Sequence, residues 1–179
     1  MLQVLARNWW ALLVRGIAAI LFGILAFALP GTTLFVLVML FGAYALVDGV
    51  FALVAAVRAA EAHTRFWPLA VEGIVGSVIG LATFFYPGIT AMALLFLIAA
   101  WAALTGILEI AAALQLRREL AGEIWLVVSG VLSIAFGILI VAFPGGGVLA
   151  VLWILAVYAI LFGAALVALG LRLRSSLAR

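Results

Sequence analysis

The sequence predicts an all-α membrane protein of six transmembrane helices, built as three tandem parallel two-helix repeats that pack as a pseudo-threefold bundle. Three observations predict it. Of 179 residues, 71% are hydrophobic and 8% charged, with a mean hydropathy of +1.52. Apolar stretches of about 20 residues, the length that crosses a bilayer as a helix, occur six times. A Pro-Gly pair recurs at one fixed interval. A soluble domain of this size needs far more polar surface to cover its core, so the lipid bilayer is the partner the composition demands.

The six spans fall at about 9–29, 33–57, 66–86, 90–114, 124–143 and 147–171. The first follows Arg7 and ends in Ala26-Phe27-Ala28, the pattern of a signal-peptide cleavage site. The same helix-and-turn pattern recurs twice deeper in the chain, which favours a retained helix. Pro30-Gly31, Pro87-Gly88 and Pro144-Gly145 are separated by 87−30 = 57 and 144−87 = 57 residues. Gly16, Gly73 and Gly130 keep the same period, as do Gly23, Gly80 and Gly137, and Gly49, Gly106 and Gly163. Glycine-rich composition alone does not fall into register three times. Proline with glycine breaks a helix, so each copy reads as a helical hairpin with a very short turn. The units are 8–60, 65–117 and 122–174 within one membrane domain, 1–179. Two crossings per unit give all copies one orientation, as parallel repeats about an axis along the membrane normal.

Charge sets the orientation. The basic residues are nine arginines, and Arg7, Arg58, Arg65, Arg117, Arg118, Arg172, Arg174 and Arg179 all lie on one side of the six-helix scheme. Arginine-rich short loops stay cytoplasmic, which puts both termini inside; membrane orientation explains the net charge of +3 without nucleic acid. Trp9, Trp10, Trp67 and Trp125 open the odd-numbered helices as interfacial anchors.

Lipid tails are as apolar as leucine, so membrane helices associate by close packing at small residues. Ala19/Gly23, Gly76/Gly80 and Ser133/Gly137 are small-xxx-small pairs at equivalent positions of the odd helices. Ala45/Gly49, Ala102/Gly106 and Ala159/Gly163 are the same in the even helices.

Ionisable residues inside the spans are costly in hydrocarbon and mark function by default. They are Arg15, Asp48, Glu72 and, nearer the boundary, Glu109. Arg15 and Glu72 each precede their Pro by 15 residues, and Asp48 follows Gly31 by 17, so at about 1.5 Å per residue all three sit near one level. Arg15, Glu72 and Ser129 share one repeat position. The cluster is read either as a charge pair that fixes register or as a site that responds to protons. His63, beside Glu61 and Arg65, reads as a solvated loop residue rather than a pH sensor.

The chain has no cysteine and a single histidine, which lies outside the spans, so thiolate chemistry, an intramembrane Ser-His dyad and a histidine-held metal are excluded. With no HExxH and no phosphate-cradling loop, neither a catalytic role nor a cofactor is expected.

Asn8-Trp9-Trp10, Arg15-Gly16, Gly23, Pro30-Gly31, Tyr44 and Asp48-Gly49 together resemble the HdeD family of acid-resistance membrane proteins. Trp67, Glu72-Gly73, Gly80 and Tyr86-Pro87-Gly88 extend the match into the second copy, and Trp125, Gly130, Gly137 and Phe143-Pro144-Gly145 into the third. The resemblance implies a small bacterial inner-membrane protein linked to survival under acid stress, with no catalytic residues to carry over. Two other functional classes fit the composition: a small proton or solute channel or transporter, and an assembly or scaffold protein that contacts other membrane proteins through its glycine faces; the partners beyond lipid are a homo-oligomer or other membrane proteins.

Overall fold

The computed structural model describes residues 9–115 and 123–177, with side chains described over 9–115 and 124–173. Arg7, Arg117, Arg118 and Arg179, which carry much of the orientation argument, lie outside the described residues. Six helices follow one another: α1 (Trp9–Ala28), α2 (Pro30–Glu61), α3 (Trp67–Phe85), α4 (Pro87–Gln115), α5 (Glu123–Ala142) and α6 (Pro144–Leu177). All six contain windows long and apolar enough to cross a membrane. The chain is an integral, multi-pass membrane protein.

Each repeat is divided by a single residue, Leu29, Tyr86 or Phe143. The bend comes one residue earlier than the Pro-Gly pair, because proline serves as the first residue of the following helix. There its missing N–H is one that the helix leaves unpaired anyway. Backbone hydrogen bonds run up to and away from the bend: Leu29 N–H to Leu25 O and Thr33 N–H to Leu29 O in the first copy, Tyr86 to Ala82 and Thr90 to Tyr86 in the second, Phe143 to Leu139 and Gly147 to Phe143 in the third. The bend is sharp. In a straight helix residues seven apart are separated by about 10 Å along the axis, yet the Thr83 and Thr90 hydroxyls are 3.1 Å apart.

The chain separates into two compact units. One comprises Met1–Leu34 with Leu149–Arg179, the other Phe35–Val148. In the first unit α1 packs antiparallel on α6. A Cβ on Gly16 would meet the Gly163 carbonyl and Val167, one on Gly23 would meet Ala156 and Ile160, and one on Gly170 would meet Leu13. Phe27 and Trp153 add an aromatic contact at the end near the bend, with centroids 6.4 Å apart.

In the second unit two antiparallel pairs form. On α2 and α3, Gly42 faces Thr83, Leu46 faces Gly80, Gly49 faces Gly76 and Ser77, and Leu53 faces Gly73. On α4 and α5, Gly137 faces Ala99 and Ala103, and Gly106 and Gly130 face each other. The second helix of each repeat thus packs closely on the first helix of the next, and the last on the first. The hairpin expected around each Pro-Gly is present as a tight bend, but the glycine faces are spent on the neighbouring repeat. The contact between α3 and α4 within the second repeat is slight beside that between α4 and α5.

The longer connection between α2 and α3 is closed by hydrogen bonds. His63 N–H donates to Ala60 O and Thr64 N–H to Ala59 O, the two bonds of a Schellman ending, with His63 in the left-handed region at φ 55°. Its ring nitrogen lies 3.1 Å from Glu61 O. This exposed histidine therefore terminates a helix.

Candidate intramembrane charge site

The site is built on the helix crossings. In each pair two glycines from different repeats meet: Gly16 with Gly163, Gly49 with Gly73, and Gly106 with Gly130. The distances leave no room for a side chain, since a Cβ on Gly106 would lie 2.5 Å from the Gly130 carbonyl oxygen and one on Gly163 would lie 2.6 Å from that of Gly16. The backbones touch because both partners lack a Cβ, as small residues permit in membranes.

Contact at a glycine dictates where its neighbour points. Successive helical residues turn by about 100°. In an antiparallel pair the residue before the contact turns towards the same side on both helices. Each crossing therefore displays two pre-glycine residues on one common face. The α4/α5 pair shows this directly, because Thr105, which precedes Gly106, and Ser129, which precedes Gly130, line one open groove of about 830 Å³ with Trp101, Ser133 and Phe136. The groove formed by Phe96, Ala100, Ala103, Gly137 and Ile138 on the same pair has an entirely apolar lining.

The repeat carries this face to the other pairs. Trp101 corresponds to Tyr44 and Tyr158, Thr105 to Asp48 and Phe162, and Ser129 to Glu72 and Arg15, all at multiples of 57. On α2/α3 the face is acidic: Tyr44, Asp48 and Glu72, all exposed. On α1/α6 it is basic and aromatic, with exposed Arg15 beside Tyr158 and Phe162, whose rings stack at 5.8 Å. On α4/α5 it carries hydroxyls. The Thr105 hydroxyl donates back to Trp101 O at 2.8 Å.

Three of the four ionisable residues singled out in the sequence, Arg15, Asp48 and Glu72, immediately precede crossing glycines. Asp48 and Glu72 flank the same Gly49–Gly73 crossing. Arg15 flanks the Gly16–Gly163 crossing of the other unit. Glu109 lies one turn beyond Thr105, and one of its carboxylate oxygens, Oε2, is buried with no hydrogen-bond partner. Arg15 belongs to one compact unit and Asp48 and Glu72 to the other. No group of three or more metal-ligating side chains occurs among the described residues.

Small-xxx-small spacing singled out Gly23, Gly80 and Gly137 and also Gly49, Gly106 and Gly163, which lie at the crossings. It passed over Gly16, Gly73 and Gly130, each seven residues before its partner in the same helix. Their common period of 57 was the available signal. Pro30, Pro87 and Pro144 open the even helices, and a Cβ on Gly31, Gly88 or Gly145 would meet nothing within 4 Å.

Comparison with known proteins returns one family. The model of a short repeat of unknown function (DUF308) matches three times, at residues 14–81, 71–142 and 128–178. The matches begin 71−14 = 57 and 128−71 = 57 residues apart, the interval of the Pro-Gly pairs. No curated protein matches the chain, and neither does any solved structure. Three matches at the chain's own period, together spanning nearly all of its length, show that this protein belongs to the DUF308 short-repeat family.

Proposed function

We propose that the protein is a non-catalytic component of the bacterial inner membrane, with both termini in the cytoplasm, that supports survival under acid or envelope stress. The ionisable residues within its helices carry that role. The reading is supported by one observation above the others: Arg15, Asp48 and Glu72 each immediately precede a glycine at a helix crossing. A charge in hydrocarbon is expensive, and a face that repeatedly accepts one is a functional candidate by default. The link to acid stress comes from the resemblance to the HdeD family.

The test is acid survival of a deletion strain complemented with the wild-type chain, Asp48→Asn, Glu72→Gln or Arg15→Gln, with membrane abundance of each chain measured alongside. Loss of protection at normal abundance in the carboxylate variants is the expected result. Full protection by all three variants would reduce the charges to packing elements, and a deletion without an acid phenotype would remove the stress role itself.

A further inference from the structure

The groove of about 830 Å³ at the Gly106–Gly130 crossing runs from hydroxyls at one end to hydrocarbon at the other. Depth is counted from the bends. Thr105 stands 105−87 = 18 residues after Pro87, and Ser129 and Ser133 stand 144−129 = 15 and 144−133 = 11 residues before Pro144. At about 1.5 Å per residue these three lie about 27, 22 and 17 Å from the bends. Leu97, 97−87 = 10 residues after Pro87, and Phe136, 144−136 = 8 before Pro144, lie about 15 and 12 Å from them. The hydrocarbon core is about 30 Å thick, so with the bends at one boundary the hydroxyl end sits beneath the opposite boundary and the hydrocarbon end at mid-membrane. The groove thus has the polarity gradient of a lipid in the leaflet away from the bends.

We propose that this groove binds one glycerophospholipid of that leaflet, with its ester carbonyls on the Ser129 and Ser133 hydroxyls and an acyl chain along Leu97 and Phe136. Three features select this class of ligand. Where the α2/α3 crossing of the same unit carries Asp48 and Glu72, this one carries Thr105 and Ser129, so it offers an ion no counter-charge and suits an uncharged acceptor. Thr105 spends its hydrogen on Trp101 O at 2.8 Å. The two serines, one turn apart on α5, are the hydroxyl donors, spaced for two neighbouring acceptors such as the paired esters of a diacyl lipid. Mostly apolar walls with a few polar groups at one end, and a volume within the usual range of about 300–1,000 Å³, are the makeup of a small-molecule site. All of the lining residues come from α4 and α5, and the proposal is independent of the stress reading.

The test compares an ester with an ether. Full-length protein, delipidated in detergent, is titrated with dioleoyl phosphatidylcholine and with its diether analogue, which lacks the carbonyls, and bound lipid is counted by native mass spectrometry. The first diester molecule is expected to bind about tenfold or more tighter than the first diether, the effect of losing two hydrogen bonds. Ser129→Ala combined with Ser133→Ala removes the preference, either change alone gives an intermediate one, and Ser129→Thr with Ser133→Thr retains it. Equal binding of the two lipids by the wild-type chain overturns the proposal, as does a preference that survives both alanines. A delipidated chain that takes up no lipid, because another of its helices or a second copy fills the groove, overturns it too; a second copy would appear as a particle of twice the chain mass.

Discussion

A single methyl group separates the two kinds of glycine in this chain. At the crossings a Cβ runs into the backbone of another helix, against the Ser77 nitrogen at Gly49 and 2.5 Å from the Gly130 oxygen at Gly106. Backbone atoms cannot rotate away, so the helices must separate. At Gly31, Gly88 and Gly145 the same methyl meets nothing within 4 Å. Gly106→Ala should therefore destabilise the protein by about 1–3 kcal/mol, the range for overpacking a close contact. Gly88→Ala should be neutral or stabilising by up to about 1 kcal/mol, through helix propensity alone. Thermal unfolding of the two variants in detergent checks the contrast; equal effects would mean that the crossing is looser than described. Both sets of glycines were visible in the sequence at the period of 57, but their opposite roles were not. A repeat marks positions as equivalent without saying what lies across from them. A four-residue spacing rule also overlooks Gly16, Gly73 and Gly130, which stand seven residues before Gly23, Gly80 and Gly137.

At the scale of the element, the tight bend is held by matching side-chain sizes across it. Ala26, Thr83 and Ile140 are repeat-equivalent and fully buried, at 0, 0 and 1% exposure. Their partners seven residues on are Thr33, Thr90 and Gly147, so the largest first member is matched with the smallest second. A Cβ on Gly147 would lie 3.1 Å from Ile140 Cα. The hydroxyls add a second support, Thr33 donating to Leu25 O at 3.3 Å and Thr83 to Ile79 O at 2.8 Å. Gly147→Thr alone should cost about 1–3 kcal/mol by overpacking. Ile140→Ala alone should cost about 2–5 kcal/mol through the cavity it leaves. The double variant reproduces the first copy's Ala–Thr pair and should be markedly more stable than the sum of the single losses, a coupling that a double-mutant cycle measures. Strict additivity would show that the two positions do not share one space. The location of the bends was legible, because Pro-Gly cannot continue the preceding helix. Their compactness was not, because proline's acceptance as the first residue of the next helix lets one residue serve as the whole connection.

For the whole molecule, the decisive feature is the offset between repeat and packing unit. The sequence repeats in the order odd helix, bend, even helix, whereas the close contacts join an even helix to the odd helix of the next copy. Hydropathy and repeat spacing set helix number and order, but apolarity on every side leaves the choice of neighbour to backbone approach. The charged residues showed a similar limit. Their depth could be counted from Pro30 and Pro87, but their face follows only from knowing that Gly16, Gly49, Gly73 and Gly106 are crossing points. Each face keeps one geometry and changes its chemistry, acidic on α2/α3, hydroxylated on α4/α5 and basic on α1/α6, as expected when copies of one unit diverge after the fold is fixed. The central claim is therefore the shifted pairing, and its most exposed instance ties the first helix to the last. A Cβ on Gly170 would lie 3.0 Å from Leu13 Cγ, close enough for a disulfide once both residues are cysteine. Oxidation of full-length Leu13→Cys/Gly170→Cys in native membranes should consume both thiols within one chain, with altered mobility and no doubling of mass. Two free thiols in a fully inserted protein would contradict the pairing and, with it, the faces on which the functional reading rests.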